Sequence, residues 1–492
     1  MNFRPGRKWL PDAEGWAMLG LISVAAMQLS RIGNSFWIDE TGLVAEIHGS
    51  FAQLLEDYSR RLPMLSIFEA FMWAWGRCFG FSEIAMRSPS VLFGVVTLVF
   101  LYRTARNLTS TYGATLVCLV LLCIEPMAFV NARPYAMTMA FLSASIHQWV
   151  AFSRTGAKRH WMRSCAAGAM AGLTKVFALE GPLLLFAGGL LFRKSRAHIF
   201  TRLSLKAILA GLSMLGLAIL VQIPLVMHFY SRSALHSYAG PLPAQWLLEF
   251  LVYSILPPGL MVLLVASLAL RFSARANHSR NETGLSSQLI VFAGAAIIPS
   301  VVHYLVYRMT GSFVVHRNYI IASFLPAALA IGVTLFSSST AKRWQHFMFW
   351  ATFVISAFGF MTHVPPENWH RAVNLINARY DSRSSVVLIQ AGFYENAHPE
   401  LLDLPLLAGP AIAYPTKGTV VSIPSNLSAT SREYIERLLN DHQLRDDPKP
   451  ILMMARSPSI MVPEYIARRL QRNIASLEQD GIIVFELYKN SR

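Results

Sequence analysis

The chain has 492 residues, of which 54% are hydrophobic and only 14% are charged. Soluble proteins carry roughly 25% charged residues, so this composition excludes an ordinary soluble protein and indicates one that resides in a bilayer. The net charge of +16 does not indicate nucleic-acid binding, because the Lys and Arg residues are dispersed between apolar stretches.

Apolar segments near the ~20 residues that a bilayer-spanning helix needs recur along the first three quarters of the chain. We predict eleven transmembrane helices, at about 13–31, 87–105, 112–131, 134–152, 161–176, 177–192, 204–228, 247–270, 288–307, 317–337 and 343–361. A further apolar stretch, 63–80, is interrupted by Glu69 and Arg77. Its large apolar residues recur at helical spacing, and we interpret it as a helix lying in the membrane interface.

The basic residues between these segments predict the orientation of the chain. If 63–80 does not span, the basic clusters fall on cytoplasmic loops, as the positive-inside rule requires. These clusters are Arg4/Arg7/Lys8, Arg103/Arg106, Arg154/Lys158/Arg159/Arg163, Arg193/Lys194/Arg196/Arg202/Lys206, Arg271/Arg275/Arg280 and Lys342/Arg343. We therefore predict a polytopic domain over 1–362 with a long first external loop, 32–86, and an external segment over 363–492.

The last 130 or so residues change in character. The apolar runs shorten to the length of strands, at Val386–Gln390, Thr419–Ile423, Ile451–Met454 and Ile482–Leu487. Helical stretches alternate with them, at Glu367–Arg379, Arg432–Leu439 and Glu464–Ile474. The alternation predicts a small soluble α/β domain.

Two adjacent carboxylates, Asp39 and Glu40, follow the first span. Ionisable residues at a membrane helix are costly and often functional. The pair could merely orient the first helix. Alternatively, one carboxylate is a general base, since neighbouring carboxylates repel when both are ionised and shift each other's proton affinity.

Other polar residues are predicted at the external ends of later helices. Each could anchor a helix end at the interface, as Arg, Tyr and Lys commonly do. Each cation could instead bind a phosphate, and the planar donors of Arg suit that task. The candidate phosphate-binding residues are Arg133 and Tyr135, Lys175, and His316, Arg317 and Tyr319.

The ordered set of motifs resembles a known family. The motifs are the acidic pair, Arg87-Ser88-Pro89-Ser90, Arg133-Pro134-Tyr135, Gly172-Leu173-Thr174-Lys175, Arg317-Asn318-Tyr319 before Leu325-Pro326, and Trp369-His370-Arg371-Ala372. In this order they are similar to the protein mannosyltransferase-related branch of the GT-C glycosyltransferases, which includes bacterial aminoarabinose and galacturonic acid transferases.

The resemblance implies an inverting sugar transfer from a polyprenyl-phosphate donor to a glycolipid, polysaccharide or protein acceptor on the outer face. It implies Asp39 as general base, assisted by Glu40, and basic residues at the donor phosphate. Relatives commonly have His-Pro-Pro-Leu late in the first loop, where this chain reads Arg61-Leu62-Pro63-Met64-Leu65. The missing histidine weakens any metal role for that element; a divalent metal has no clear ligand set.

These expectations describe a multi-pass protein of the plasma (inner) membrane, with its catalytic face and C-terminal domain periplasmic or extracellular. The alternative from another class is a transporter or flippase for a lipid-linked or small anionic solute. Transporters commonly contain repeated halves with broken helices and a site at the membrane midplane. No such repeat is evident in the sequence.

Overall fold

A computed structural model describes most of the chain. The described residues are 13–61, 66–125, 129–191, 193–231, 283–310, 320–336, 349–355, 367–379, 386–390, 402–447, 449–456, 460–479 and 481–489, with single residues or pairs at 245, 247, 261–262, 347 and 357–358. They form two compact units. The first comprises residues 1–32, 66–68 and 87–363, and the second comprises 33–65, 69–86 and 364–492.

The first unit is a bundle of helices. In chain order these are α1 (Ala13–Leu29), α5 (Glu83–Arg106, in this unit from Arg87), α6 (Thr111–Ile124), α7 (Tyr135–Thr155), α8 (Lys158–Thr174), α9 (Glu180–Leu191), α10 (Arg193–Arg202), α11 (Leu205–Ser231), α12 (Thr283–Thr310) and α13 (Ile321–Phe336). A 3-10 turn, Val176–Leu179, joins α8 to α9.

Apolar helices at the centre of this bundle are buried on all sides. Helix α6 is an example, since almost every residue from Tyr112 to Ile124 is buried. Helices α7 and α8 form a hairpin at Gly156, whose φ of 67° ends α7 in the left-handed region that favours glycine. Across the hairpin, Ser145 and Ser164 each donate a hydroxyl hydrogen bond to the other's carbonyl oxygen at 2.9 Å. Small polar residues thus let these two helices approach closely, as in membrane helix pairs.

Three described helical segments are long and apolar enough to cross a bilayer: Glu83–Arg106, Leu205–Pro224 and Gln288–Met309. Four shorter apolar helical segments are Met18–Leu29, Thr111–Ile124, Val176–Leu191 and Ile321–Leu335. The predicted helical polytopic class is confirmed. The count of eleven spans stays a prediction, because most of 247–270 and part of 343–361 lie outside the described residues.

The second unit contains the first loop together with the C-terminal segment. Its loop helices are α2 (Ile38–His48), α3 (Phe51–Arg61) and α4 (Ile67–Phe79, in this unit from Glu69). Helix α4, within the 63–80 stretch that Glu69 and Arg77 interrupt, has 13 residues. At 1.5 Å per residue it is about 20 Å long, too short to cross a hydrocarbon core of about 30 Å.

The C-terminal segment is built on a five-stranded sheet with the order β2-β1-β3-β5-β4. The strands are β1 (Val386–Gln390), β2 (Thr419–Ser422), β3 (Ile451–Arg456), β4 (Asn473–Gln479) and β5 (Ile482–Tyr488). Strand β1 is parallel to β2 and β3, whereas β5 is antiparallel to β3 and β4. The accompanying helices are α14 (Trp369–Arg379), α15 (Gly409–Ala413), α16 (Ala429–Asp441) and α17 (Met461–Leu470).

The predicted small α/β domain is therefore confirmed, with one local difference. The sequence predicts a helix through Ile474, but α17 ends at Leu470 and β4 begins at Asn473. Gln471 ends the helix with a φ of 51°. Residues 473–476 are largely exposed, so this edge strand lacks the buried apolar run by which the other strands were predicted.

Candidate active site

The acidic pair lies in the first turn of α2. Trp37 precedes the helix as its N-cap, so Asp39 and Glu40 are the second and third helical residues. The Oε2 atom of Glu40 accepts a hydrogen bond from the backbone N–H of Trp37 at 3.2 Å. Glu40 is fully buried, whereas Asp39 is partly exposed. The two carboxylates therefore differ: Glu40 caps its own helix, and Asp39 is the one accessible to a substrate.

A residue of the C-terminal segment contacts the N-terminus of α2. The Oε2 atom of Glu367 accepts hydrogen bonds from the backbone N–H of Ile38 and from the indole Nε1–H of Trp369, both at 2.8 Å. Its Oε1 atom lies 2.6 Å from Nε of Arg456. Glu367 thus satisfies an N–H group that the first turn of a helix leaves without an intrahelical partner.

The opposite end of α2 contacts a cation. Arg77, on α4, donates from Nη2 to the carbonyl oxygen of His48 at 2.6 Å and also to that of Gly49. Nε1 of Trp73 donates to the same Gly49 oxygen at 3.1 Å. An anion at the N-terminus and a cation at the C-terminus both stabilise the helix dipole. Helix α2 is therefore fixed at both ends.

Backbone packing also holds α2 from the side. A Cβ atom added to Gly409, the first residue of α15, would lie 2.8 Å from the carbonyl carbon and oxygen of Thr41. Only glycine permits this approach of α15 to the first turns of α2. Nearby, Oη of Tyr414 accepts from the N–H of Phe36 at 2.7 Å and donates to Glu83 at 3.1 Å. The segment leading into the acidic pair is thus ordered by the C-terminal part of the chain.

Three of the predicted phosphate-binding residues come together in the first unit. Tyr135 begins α7, and Lys175 follows the last residue of α8. The Nζ atom of Lys175 lies 4.5 Å from the centroid of the Tyr135 ring, and Cζ of Arg133 lies 5.7 Å from it. Both distances are within the range of cation–π attraction. Two cations from different helix ends thus share one aromatic ring, which concentrates positive charge beside apolar helices.

The local sequence explains the position of Lys175. A Cβ atom at Gly172 would lie 2.3 Å from Cγ of Leu179, so glycine is required for the 3-10 turn to fold back against α8. Nε2 of Gln222, on α11, donates to the carbonyl oxygen of Gly172 at 3.1 Å. The backbone N–H of Lys175 still bonds to Ala171 at 2.9 Å. The chain therefore leaves the helix at Lys175 along a fixed path.

The other candidate phosphate-binding residues, His316, Arg317 and Tyr319, lie outside the described residues. Among the residues that the structure describes, no group of three or more His, Cys, Asp or Glu side chains could hold a metal ion.

Two acidic residues were not predicted as parts of a site. Glu367 has no motif of its own, and its contact with Ile38 spans 329 positions. Glu180, at the start of α9, bonds through Oε1 to Nε2 of His303 on α12 at 2.6 Å. The His303 ring also lies 5.0 Å from that of Phe177. Because 123 residues separate Glu180 from His303, no spacing in the sequence could have indicated the pair.

Comparisons with known proteins agree with these features. Residues 66–228 match the family model of dolichyl-phosphate-mannose-protein mannosyltransferases, a segment that includes Arg133, Tyr135 and Lys175. No curated protein matches the chain.

Two solved structures are similar to the chain, each at 11% identity. ArnT from Cupriavidus metallidurans bound to undecaprenyl phosphate has a TM-score of 0.59, and the match covers 98% of this chain and 99% of that one. Its apo state has a TM-score of 0.47, with coverage of 96% and 98%. The resemblance noted in the sequence is confirmed: over residues 66–228 the chain is similar to dolichyl-phosphate-mannose-protein mannosyltransferases, and along its length it has the fold of ArnT.

Proposed function

We propose that the protein is an integral-membrane glycosyltransferase that moves a sugar from a polyprenyl-phosphate donor to an acceptor on the outer face of the membrane. The observation that carries this proposal is the approach of Lys175 and Arg133 to one ring, that of Tyr135, among apolar helices. A lipid-linked phosphate requires such a site, with cations for the headgroup and apolar surface for the chain. A protein of the same fold, ArnT, was solved with undecaprenyl phosphate bound.

The proposed reaction is a single displacement. Asp39 accepts the proton of an acceptor hydroxyl as its oxygen attacks the anomeric carbon of the sugar. The bond between that carbon and the phosphate oxygen breaks on the opposite side, so the configuration inverts. Polyprenyl phosphate leaves with both electrons of the broken bond and gains negative charge. Lys175 and Arg133, with His316, Arg317 and the tyrosines Tyr135 and Tyr319, stabilise that charge.

The different surroundings of the two carboxylates support Asp39 as the base. A general base must reach the proton that it removes, and Asp39 is partly exposed. Glu40 is fully buried and its carboxylate already accepts from Trp37. We therefore propose that Asp39 accepts the proton and that Glu40 stabilises the first turn of α2.

The acceptor belongs to the cell envelope in this proposal: a glycolipid, a polysaccharide or a protein. The basic loop clusters favour a plasma (inner) membrane protein whose catalytic face and C-terminal domain are periplasmic or extracellular. A reporter that is active only in the cytoplasm, fused after Arg492, should be silent. Activity of that reporter would contradict the orientation.

The function is tested by mass spectrometry of envelope lipids, polysaccharides and glycoproteins from cells with and without the gene. We expect one sugar-modified product to disappear and its polyprenyl-phosphate donor to accumulate in the deletion strain. If the protein were a transporter or flippase, its deletion would instead leave the cargo on the cytoplasmic side. The Asp39→Asn variant would then transport that cargo as well as wild type. An unchanged envelope and donor pool would contradict the proposal.

A further inference from the structure

Glu367 is the most buried carboxylate in the described C-terminal segment, at 2% exposure. It lies two residues before α14 and accepts a hydrogen bond from the N–H of Ile38, the first residue of α2. Burial of an ionised carboxylate is costly unless charge-assisted hydrogen bonds compensate. The N–H groups of Ile38 and Trp369 provide two such hydrogen bonds, and the guanidinium of Arg456 provides an opposite charge.

The charges around Glu367 act in opposite directions. Burial raises the pKa of Glu367 above its usual value, and the nearby charge of Asp39 raises it further. The Arg456 guanidinium and the two N–H donors lower it. The pKa of Glu367 is raised on balance because burial is the largest effect, and Arg456 and the positive end of the α2 dipole oppose it.

The location of this contact determines what it can do. Ile38 is adjacent in the chain to Asp39, so the bond from its N–H fixes the backbone that carries the Asp39 side chain. Without an acceptor there, the N–H of Ile38 loses its hydrogen bond, and the first turn of α2 is left with its packing against the C-terminal segment. A displacement of about 1 Å in a reacting group can reduce a rate by about 10²-fold.

We propose that Glu367 is a positioning residue for catalysis, which sets the location of the Asp39 carboxylate through the N–H of Ile38. This inference rests on the proposed function, since it takes Asp39 as the base. It also gives the C-terminal segment a part in the reaction: this segment supplies the acceptor that orders the first turn of α2. Arg456 holds the Glu367 carboxylate in place from the other side.

The test compares variants that remove the acceptor with variants that keep it. Glu367→Ala should slow appearance of the sugar-modified product, in a deletion strain after induction, by about 10²-fold. Glu367→Gln can keep an oxygen at Ile38 and Trp369, and should recover most of that loss. Purified Glu367→Ala should bind undecaprenyl phosphate within about twofold of wild type, because no step of donor binding is assigned to Glu367.

Two controls separate positioning from general stability. Glu486→Ala removes another Glu–Arg pair of the same segment, Arg379–Glu486 at 2.8 Å, and should leave transfer unchanged. Trp369→Phe removes the second donor but keeps an aromatic ring, and should retain most of the activity. Thermal unfolding in detergent checks that each variant is folded.

The inference would be overturned if Glu367→Ala transferred sugar at the wild-type rate, or if Trp369→Phe lost as much activity as Glu367→Ala. The second result would mean that packing of the segment, rather than the bond to Ile38, is what matters. If Glu367→Ala does not fold, the Glu367→Gln and Trp369→Phe variants still test the inference. Loss of transfer in a folded Glu367→Gln variant would contradict the acceptor role of Glu367. An inactive Asp39→Asn beside a fully active Glu367→Ala would reject this inference alone, whereas wild-type transfer in both Asp39→Asn and Glu40→Gln would reject the proposed function itself.

Discussion

The backbone N–H of Ile38 donates to the carboxylate of Glu367 at 2.8 Å, across 329 positions of sequence. This bond joins the helix of the acidic pair to the C-terminal segment within one compact unit. The surroundings of Asp39 are therefore built by two distant parts of the chain. Substitution of Glu367, in the C-terminal segment, should accordingly affect catalysis as well as stability.

Replacement of Lys175 or Arg133 by alanine should weaken donor binding and transfer. Loss of one hydrogen bond to a charged group costs about 1.5–3 kcal/mol, which corresponds to roughly 10- to 150-fold. The affinity of the purified protein for undecaprenyl phosphate measures the effect. Arg154→Ala is the matched control, since Arg154 bonds to Asn107 at 2.7 Å and has no assigned role. Wild-type affinity in both alanine variants would leave these cations as helix anchors.

Substitution of Glu40 should affect the fold of α2 more than the chemistry. Glu40→Gln keeps an oxygen that can accept from the N–H of Trp37, so we expect transfer well above that of Asp39→Asn. Glu40→Ala removes the cap and should cost about 1 kcal/mol of stability. Transfer rates and thermal unfolding of the variants distinguish the two effects. The reverse order of the Asn and Gln variants would assign the base to Glu40.

The Glu180–His303 pair gives a prediction about stability in the first unit. His303 is 4% exposed at the side chain, and its Nε2 lies 2.6 Å from Glu180. Glu180→Leu alone leaves a buried imidazole without this partner, at a cost of about 1–3 kcal/mol. The double variant with His303→Phe should be less destabilised than the sum of the two single variants. Strictly additive losses in thermal unfolding would show that the pair is not coupled.

The stability contributed by Glu436 should depend on pH. Its carboxylate contacts Arg469, lies 2.5 Å from Nη2 of Arg445 and accepts a hydrogen bond from Oη of Tyr465 at 3.1 Å. The hydrogen bond from the Arg469 guanidinium lowers the pKa of Glu436. A lowered pKa means stabilisation that is complete above the usual glutamate pKa of about 4.3 and is lost as the pH falls through the lower folded-state value.

Glu436→Gln should therefore be less stable than wild type at pH 7, by about 1 kcal/mol given the partial exposure of the pair. This difference should vanish in acid. Thermal unfolding of the full chain across pH measures it, with Glu433→Gln, exposed on the same helix, as the control. A difference that persists unchanged below pH 3 would contradict the electrostatic explanation.

Local patterns predicted those parts of the fold that have a strong periodic signal. Long apolar runs correspond to helices such as α11 and α12, and short ones correspond to β1, β3 and β5. Strand β4 was missed because it is an edge strand whose described side chains are largely exposed. It is held by its pairing with β5 and has no buried apolar run that the sequence could reveal. Helix α2, which follows the first apolar segment, is buried on nearly all sides.

The candidate residues could be predicted where a motif marks them. Arg133, Tyr135 and Lys175 were grouped from the ends of predicted helices, and they do come together. Glu367 and Glu180 could not be found in this way, since their partners Ile38 and His303 are distant in sequence. A lone Glu in a single sequence carries no sign of what it will contact. Such pairs arise only from tertiary packing.

The proposal that Asp39 is the base of a sugar transfer is tested most directly by the Asp39→Asn variant in a deletion strain. The measurement is the ratio of sugar-modified product to polyprenyl-phosphate donor, by mass spectrometry of the envelope and its lipids. Asparagine keeps the size of the side chain but lacks the basic carboxylate, so transfer should fall by ~10²–10⁴-fold while donor accumulates. A wild-type ratio, from a variant present at wild-type levels in the membrane, would contradict the catalytic role of Asp39.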